Sequence, residues 1–380
     1  MSWNVPLTDL TVRDEDVESY LESLRSGWWT MGPTTDRFED EFAKWIGAEH
    51  AVVASSGTAA LHLACAAADL GPGDEVLVPA LTFVATAHAV RYVGAVPVLC
   101  DIADRGDPNL SAEAVEDAVT TKTKAVIAVN MFGAACDLEG LRSVCDRHGL
   151  VLIEDCAQSL GARTAQGAQA GTVGQFGCFS FFSKQQLAIG EGGMVLAPDG
   201  DTAERLRRLR SHGRTTSNWD RHVGIAAGYD VSDLGFNYRL DEPHSALGIS
   251  RLPRVREEVQ RRAAVAAAYR DALGPLEGID LCWTAESDER SAHYAFPIVL
   301  RDAAVRDALR ARLSEEGIQT TTYPPLHSLS EYREARRAGS LERASDFGSS
   351  HLVLPIYGSM LDGGAEQVVG AIGRAIPEIG

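Results

Sequence analysis

The sequence has 380 residues, and its 35 Lys and Arg against 53 Asp and Glu give a formal net charge of −18 at pH 7. An apolar share of 45% with 23% charged residues is typical of a globular protein, which excludes extensive disorder, coiled coil and collagen, and the length favours two domains. The acidic balance, without a basic arm and without an apolar run near the roughly 20 residues of a membrane helix, argues against nucleic-acid and membrane partners.

The first half of the chain, from residue 36 to 196, alternates helical and strand-like patterns. One buried helix face is marked by apolar residues at helical spacing, namely Phe38, Phe42, Trp45 and Ile46. The patterns predict strands over 51–54, 75–78, 96–99, 125–129 and 151–154, and helices over 57–68, 84–92, 112–119 and 138–148. Near-continuous apolar strands separated by helices predict a largely parallel sheet covered on both faces, an α/β sandwich.

The pattern changes after Gly177. Strand-like runs over 178–182 and 193–196 are followed by an Arg-rich helix over 202–211, a loop-rich stretch over 213–233 and a helical region over 242–273. The remainder contains a strand-like run over 295–300, a helix over 303–316, the segment 318–321 and a final helix over 365–375. We therefore expect a large domain over 1–250 and a smaller α+β domain over 251–380.

The segment Ser55-Ser56-Gly57-Thr58 lies between a predicted strand and a predicted helix. A helix start exposes unpaired N–H groups and the positive end of the helix dipole, and glycine lets an anion approach the backbone. The segment therefore predicts a phosphate site, although it matches neither G-x-G-x-x-G nor a P-loop. The alternative is a simple N-cap without a ligand.

Asp155 ends the apolar run 151–154. The carboxyl ends of parallel strands are where open α/β sheets bind ligands. A carboxylate in that position is partly buried and needs a cationic partner to stay charged. The alternative is an aspartate that caps the following helix.

Lys184 follows the aromatic and hydroxyl-bearing run 179–183 and precedes the glycine-rich turn 190–193. Apolar surroundings would favour its neutral, nucleophilic amine, and the alternative is an ordinary surface lysine. Taken together, the anion site, the carboxylate and the lysine are what pyridoxal phosphate requires. They would serve its phosphate, its pyridinium nitrogen and its Schiff base.

The order and spacing of these residues resemble the DegT/StrS-type nucleotide-sugar aminotransferases, which are fold type I pyridoxal phosphate enzymes. The matching segments cover nearly the whole chain: Gly32-Pro33, Ser56-Gly57-Thr58-Ala59-Ala60-Leu61, Gly71-Pro72-Gly73-Asp74-Glu75-Val76, Thr82-Phe83-Val84-Ala85-Thr86, Glu154-Asp155, Phe179-Ser180-Phe181, Gly190-Glu191-Gly192-Gly193 and Gly235-Phe236-Asn237-Tyr238-Arg239. The resemblance implies a fold type I large domain that binds the cofactor, with a mostly parallel sheet flanked by helices, and a small C-terminal α+β domain.

The resemblance also implies a role for each matching residue. Lys184 would carry the cofactor as a Schiff base and then act as general base, and Asp155 would keep the ring nitrogen protonated. The other implied cofactor contacts are Ser56, Gly57, Thr58 and Ser180 at the phosphate, Phe83 stacked on the ring, Gln158 near the ring hydroxyl and Asn237 from the neighbouring subunit. Tyr323 and His327 would contact the sugar nucleotide, and no metal is implied.

The sequence departs from the family pattern at two places. Asn130 stands where the family often has histidine, which puts a catalytic role of that position in doubt. The familiar Glu-Leu-Gln is here Asp241-Glu242-Pro243-His244, a change that concerns helix entry because proline is tolerated in a first helical turn. Five arginines lie close together in the sequence, namely Arg205, Arg207, Arg208, Arg210 and Arg214. They predict either contacts to a substrate diphosphate, with Arg214 as the best candidate, or a solvated helix face.

The resemblance implies a two-step transamination. Glutamate or glutamine would give its amino group to the cofactor, which would then aminate a keto group of a nucleotide-linked deoxysugar, as in deoxysugar and antibiotic biosynthesis. Alternatives are a keto-cyclitol acceptor and a non-catalytic, cofactor-binding regulatory relative. A related dehydratase would have histidine in place of Lys184, and a desulfurase would need a cysteine on a mobile loop, whereas most of the seven cysteines here lie in apolar runs. With no secretory signal visible over 1–10, we expect a cytoplasmic protein. The role that the resemblance gives Asn237 implies a homodimer with shared active sites.

Overall fold

A computed structural model of the chain describes residues 3–361 and 363–379. The helices are α1 (Asp14–Arg25), α2 (Pro33–Ile46), α3 (Gly57–Ala67), α4 (Val84–Tyr92), α5 (Ala112–Ala118), α6 (Leu138–His148), α7 (Gly200–Arg210), α8 (Asn218–His222), α9 (Glu242–Arg251), α10 (Val255–Leu273), α11 (Ala285–Asp288), α12 (Ala303–Glu315), α13 (Glu342–Ser350) and α14 (Gly364–Ile379). The strands are β1 (His50–Ala54), β2 (Glu75–Pro79), β3 (Val96–Cys100), β4 (Thr123–Val129), β5 (Val151–Asp155), β6 (Phe176–Ser180), β7 (Gly193–Ala197), β8 (Ile279–Leu281), β9 (Phe296–Leu300), β10 (Arg336–Arg337) and β11 (His351–Leu354).

A sheet of eight strands within these described ranges has the order β1-β7-β6-β5-β4-β2-β3-β10. Strand β7 is antiparallel to both of its neighbours, and the other neighbouring strands are parallel. Helices α3, α4 and α7 cover one face, whereas α2, α5 and α6 cover the other. The predicted α/β class, with a large, mostly parallel sheet between helices, is confirmed.

Strand alternation decides which face each residue of β5 meets. Ile153 packs in the core beneath α3 and α4, and Leu152 packs in the core beneath α6. Because successive side chains point to opposite faces, Asp155 shares the α3 and α4 side with Ile153, and Glu154 points the other way. There the Glu154 carboxylate accepts hydrogen bonds from the amides of residues 171, 173 and 174. The strand thus presents one carboxylate to a loop and the other toward α4.

Local signals explain why most helices begin and end where they do. Helix α2 has Pro33 at its start and ends at Gly47, whose φ of 84° suits glycine. Its predicted face is buried at Phe38, Phe42 and Ile46. Ser111 caps α5, since its hydroxyl accepts from the amide of Ala114 at 3.1 Å. The bounds predicted for α4 and α6, 84–92 and 138–148, agree with the structure.

Three predicted segments differ from the structure. Strand β6 ends at Ser180 rather than at residue 182, because its partner strand begins only at Gly193. The helical region 242–273 is divided into α9 and α10 by a 3-10 turn containing Pro253, which lacks the amide hydrogen that a continuous helix would use. The segment 318–321 makes only isolated bridges, from Ile318 to residue 5 and from Thr321 to residue 353.

The C-terminal part forms an antiparallel sheet of order β11-β9-β8, packed with α10, α12 and α14 in a core of its own. Many contacts join residues on either side of residue 250, among them a strand pairing and a bridge. Strand β10 pairs with β3 of the large sheet, and Val5 bridges Ile318. The division into 1–250 and 251–380 stays a prediction.

No helix in residues 3–361 and 363–379 has the combination of length and apolar composition that spanning a bilayer requires.

Candidate active site

A cleft of about 380 Å³ opens where β4, β5 and β6 end and α3 begins. It gathers nine of the residues that the sequence singled out: Ser56, Gly57, Thr58, Phe83, Asp155, Gln158, Ser180, Lys184 and Tyr323. Asn237 and His327 do not line it. Residues from strand ends, a helix start and a distant loop therefore meet in one place.

The first turn of α3 forms the anion site of the cleft. The Ser56 hydroxyl accepts from the amide of Ala59 at 3.0 Å, and the Ser56 carbonyl accepts from the amide of Ala60 at 2.9 Å. The amides of Gly57 and Thr58 have no acceptor within the described part of the chain. A Cβ at Gly57 would lie 2.7 Å from the Cβ of Ser180, so only glycine allows the helix start and β6 to approach this closely. We refer to this turn, residues 56–58, as the anion cup.

Asp155 lies at the end of β5 with 5% of its surface exposed. Its Oδ2 accepts from the Thr86 hydroxyl at 2.8 Å, and its Oδ1 accepts from the amide of Ala157 at 3.1 Å. Burial raises the pKa of this carboxyl group, and no ion pair to it occurs among the described residues. A buried carboxylate without a cation requires one to stay charged, and a protonated ring nitrogen provides it.

Lys184 lies in the turn after β6 and is solvent-exposed. The expectation of apolar surroundings was therefore wrong. The reason is that Phe181 turns into the core while Phe182 stays 41% exposed, so the chain leaves the protein interior before it reaches the lysine. The amine lines the cleft together with Tyr294 and Tyr323.

Gln158 and Phe83 also line the cleft. The Oε1 atom of Gln158 accepts from the amide of Phe132 at 2.7 Å, so its Nε2 atom is the one left to donate, and Nε2 has no partner in the described ranges. Phe83 keeps 61% of its surface exposed although it lines the cleft. An open aromatic face and a free amide donor suit a flat ring that bears a hydroxyl.

Tyr323 enters the cleft from a loop of the C-terminal part. Its backbone amide donates to Nε2 of His351 at 2.9 Å, and Nδ1 of His351 donates to the Phe347 carbonyl at 2.7 Å. These two bonds fix the neutral tautomer, and burial lowers the pKa of His351 to about 4. Buried His351 thus holds the backbone at the predicted substrate contact.

Two further residues belong to the site although the sequence analysis assigned them no role. Tyr294 lines the cleft beside Tyr323, and burial raises the pKa of both phenols. Thr86 holds Asp155 from behind. Thr86 could have been found, because it belongs to the segment Thr82-Phe83-Val84-Ala85-Thr86 that matches the family. Tyr294 offered no signal, since it lies on a loop far along the chain.

The residues outside the cleft have other contacts. Nε2 of His327 lies 2.8 Å from the Ser345 hydroxyl, and the sugar-nucleotide role of His327 stays a prediction. Asn237 is exposed on the segment that bridges to Ser211. Asn130 is buried and accepts from the amide of Cys136 at 3.0 Å, a structural contact away from the cleft.

Most of the arginine cluster is structural, so neither a diphosphate site nor a solvated face describes it. Arg205 pairs with Asp69, Arg207 with Glu39 and Glu204, Arg208 with Asp233, and Arg210 with Glu39. Arg210 and Glu39 are almost fully buried. Arg214 differs, because its hydrogen bonds go to the carbonyl and hydroxyl of Ser211 and to the side chain of Asn218, without a carboxylate among the described residues.

The change at residues 241–244 affects helix entry, as predicted. Asp241 caps α9 by accepting from the amide of His244 at 2.9 Å, and Pro243 lies in the first turn. The Glu242 carboxylate accepts from three amides at the start of α2, those of residues 32, 34 and 35. The altered segment therefore serves packing rather than chemistry.

The fold and the cleft define a pyridoxal-phosphate-dependent aminotransferase. The sequence profile of the DegT/DnrJ/EryC1/StrS aminotransferase family matches residues 11–373. The chain belongs to this family, and it is a pyridoxal-phosphate-dependent sugar aminotransferase.

Individual relatives agree with the family profile. The chain is 32% identical over 379 residues to the spore coat polysaccharide biosynthesis protein SpsC of Bacillus subtilis, covering 98% of this chain and 96% of SpsC. It is similar to the aminotransferase TlmJ from Streptoalloteichus hindustanus, with a TM-score of 0.91, 31% identity and full coverage of both chains. It is also similar to DesV of S. venezuelae, with a TM-score of 0.88 and 35% identity over 98% of each chain.

Proposed function

We propose that the protein moves the amino group of glutamate or glutamine to a keto group of a nucleotide-linked deoxysugar. The observation that carries this proposal is the convergence of Lys184, the buried Asp155 carboxylate and the anion cup in one cleft. The similarity to SpsC, whose name refers to polysaccharide biosynthesis, supports a sugar as the acceptor.

The chain's own residues would hold the cofactor and move protons. When bound, pyridoxal phosphate supplies a protonated ring that withdraws electrons from the α-carbon of the donor. The anion cup and Ser180 would hold the phosphate, Asp155 the ring nitrogen, Phe83 the ring face and Gln158 the ring hydroxyl. Nζ of Lys184 would take the proton from the donor's α-carbon as general base and pass it to C4′ of the cofactor, and in the acceptor half it would move a proton the opposite way, to the former keto carbon.

Support for an anionic acceptor comes from three arginines near residue 211. Arg214 and Arg239 both donate to the Ser211 hydroxyl, at 3.1 and 3.2 Å, and Arg214 and Arg221 both donate to Asn218. Burial and the neighbouring guanidinium groups lower the pKa of Arg214 and of Arg239. Three cations without a carboxylate among the described residues suit a diphosphate.

A homodimer with shared sites is part of the proposal. The backbone beside Asn237 is held on its own subunit, because the amide of Ser55 donates to the Tyr238 carbonyl at 2.8 Å. The side chain of Asn237 is exposed and absent from the cleft lining of its own chain. It is therefore available to reach the phosphate in a second subunit.

Half-reactions test the proposed activity. The full chain, loaded with pyridoxal phosphate, is mixed with glutamate or glutamine, and the absorption spectrum is followed. We expect the lysine-linked band to convert to the pyridoxamine form, and 3-keto or 4-keto nucleotide sugars to reverse the change. The same keto sugar without its nucleotide should react poorly. No conversion with any amino donor contradicts the proposal, and reversal only by a keto-cyclitol establishes the alternative acceptor.

Subunit mixing tests the shared site. Lys184→Ala and Asn237→Ala proteins, each impaired alone, are allowed to exchange subunits. A mixed dimer carries one site with both defects and one site with neither, so we expect activity to recover. Exchange demonstrated by mass spectrometry without recovery would contradict a contribution of Asn237 to the neighbouring site.

A further inference from the structure

A chain of three buried side chains runs from the segment before α4, through α4, to the end of β5. Thr82 is 3% exposed, Thr86 is 0% exposed and Asp155 is 5% exposed. The Oγ1 atoms of Thr82 and Thr86 lie 2.8 Å apart, and Oγ1 of Thr86 donates to Oδ2 of Asp155 at 2.8 Å. We propose that Thr86 is a positioning residue, which orients the Asp155 carboxylate for the cofactor's ring nitrogen and keeps it ionised. This inference rests on the proposed role of Asp155.

Hydrogen-bond chemistry fixes the direction of this chain. An ionised carboxylate can only accept, so the Thr86 hydroxyl donates its hydrogen to Asp155. Its oxygen is then free to accept, and Thr82 supplies that hydrogen. Donors arranged head to tail polarise one another, which strengthens the bond at the charged end. The chain therefore favours the charged form of Asp155 over the neutral acid.

The other oxygen of Asp155 is also held. The amide of Ala157 donates to Oδ1 at 3.1 Å, so each carboxylate oxygen has one neutral donor from the protein. Burial raises the pKa of this group, while the bonds from Thr86 and Ala157 lower it. Because both donors are uncharged, the cofactor's ring nitrogen is left to supply the positive charge.

Thr86 acts only through Asp155. It does not line the cleft, whereas Thr82, Phe83 and Ala85 from the same segment do. It lies in the first turn of α4, on the side that faces β5. A change confined to its hydroxyl therefore reaches the cofactor through the carboxylate alone.

Three variants isolate the hydroxyl. Thr86→Val removes it with little change of shape, and Thr86→Ser keeps it. Thr35→Val is the matched control, because buried Thr35 donates to the Glu242 carboxylate at 2.7 Å, outside the cleft lining. Thr35→Val thus removes a bond of the same kind without touching Asp155.

Two measurements on full-length protein follow the cofactor directly. One is the dissociation constant of pyridoxal phosphate added to the apoprotein. The other is the ¹⁵N NMR shift of pyridoxal phosphate labelled at its ring nitrogen, which reports protonation. For Thr86→Val we expect affinity to fall about tenfold to a hundredfold, as for loss of a hydrogen bond to a charged group, and the shift to move toward the unprotonated ring. Thr86→Ser and Thr35→Val should resemble the wild type in both.

The results separate this inference from the proposed function. An unchanged affinity and shift in Thr86→Val would overturn the positioning role, as would a Thr86→Ser protein that behaves like Thr86→Val. An equal loss of affinity in Thr35→Val would also overturn it, because a general loss of stability would then suffice. Neither measurement needs an amino donor or a sugar. A failure of the proposed transamination would therefore be seen separately, if the wild-type protein bound the cofactor but no amino donor converted it to the pyridoxamine form.

Discussion

The two sides of the cleft are built differently. On the cofactor side, Asp155 and Ser180 end the neighbouring strands β5 and β6, the anion cup begins the helix that follows β1, and Asp155 has a hydrogen-bond donor at each oxygen. On the other side, which we propose to be the acceptor side, Tyr294 and Tyr323 come from loops that only tertiary packing brings together. We therefore propose that the sheet holds the shared chemistry, and that the choice of acceptor depends on loops that can vary without disturbing it.

Loss of Lys184 should have the largest effect, because we propose that its amine serves both half-reactions. For Lys184→Ala we expect turnover to fall by at least about 10⁴-fold, the upper range for a positioned general base. The absorption band of lysine-linked cofactor should vanish as well, while the anion cup still binds the cofactor without a covalent bond. A variant that retained both the band and turnover would remove Lys184 from the scheme.

Closing the space at Gly57 tests the packing of the cofactor side. A Cβ there would lie 2.7 Å from the Cβ of Ser180, so Gly57→Ala should lower stability by about 1–3 kcal/mol, as overpacking does, and weaken cofactor binding. Gly71→Ala is the matched control, because nothing lies within 4 Å of its Cβ position. Urea denaturation and cofactor titration measure the two effects. Equal behaviour of the two variants would show that the approach to Ser180 is not tight.

Removing the hydroxyl group of Tyr323 tests whether the cofactor side and the acceptor side of the cleft act independently. Tyr323→Phe should slow the acceptor half-reaction about tenfold, the cost of one hydrogen bond, and leave cofactor loading and the donor half-reaction unchanged. Rapid-mixing spectroscopy resolves the two halves. His327→Ala, outside the cleft, decides whether the sugar-nucleotide role predicted for that residue holds. A slower donor half-reaction in Tyr323→Phe would contradict the independence of the two sides of the cleft.

The last prediction leaves turnover aside and concerns the pH dependence of stability. His351 is neutral in the fold, with its pKa lowered by burial from 6.5 to about 4. Between pH 4 and pH 6.5 the unfolded chain binds a proton at His351 that the folded chain does not. The contribution of neutral His351 to the free energy of unfolding is therefore complete above pH 6.5 and is lost as pH falls through 4, by about 3 kcal/mol in all. Urea denaturation from pH 7 to pH 4 measures it. His351→Gln lacks the titrating group and should show a flatter dependence, and identical slopes would contradict the assignment.

Much of the fold could be predicted because the strands and helices of the first half carry strong local signals. Apolar strands between capped helices gave the bounds of α4 and α6 and the parallel sheet. Helix α1 shows why other parts could not. Its buried residue is Asp16, which pairs with Arg251 and Arg254, while Val17 and Leu21 are exposed. Its inward face is polar because its ion-pair partners come from a distant part of the chain, which periodicity does not reveal.

The site was predictable to the extent that its residues lie at strand ends and helix starts. Ser56, Asp155 and Lys184 could be found because the sheet fixes where such positions meet. Tyr294 joins them through the packing of residues 291–295 against residues 132 and 133. The amides of residues 292 and 295 donate to the carbonyls of residues 133 and 132. No local pattern encodes that contact, so the place of Tyr294 could be recognised only in the folded chain.

The short strand β10 makes the two ends of the chain depend on each other. Its two residues cover β3, whose outer side would otherwise offer unpaired backbone groups, and Arg336 neutralises the buried Glu75 carboxylate. A fragment that stopped at residue 250 would expose a sheet edge next to an unpaired buried charge. Such a fragment should self-associate rather than remain monomeric, because open strands recruit further strands. Attempts to express the large domain alone would therefore meet aggregation, even though its own core is extensive.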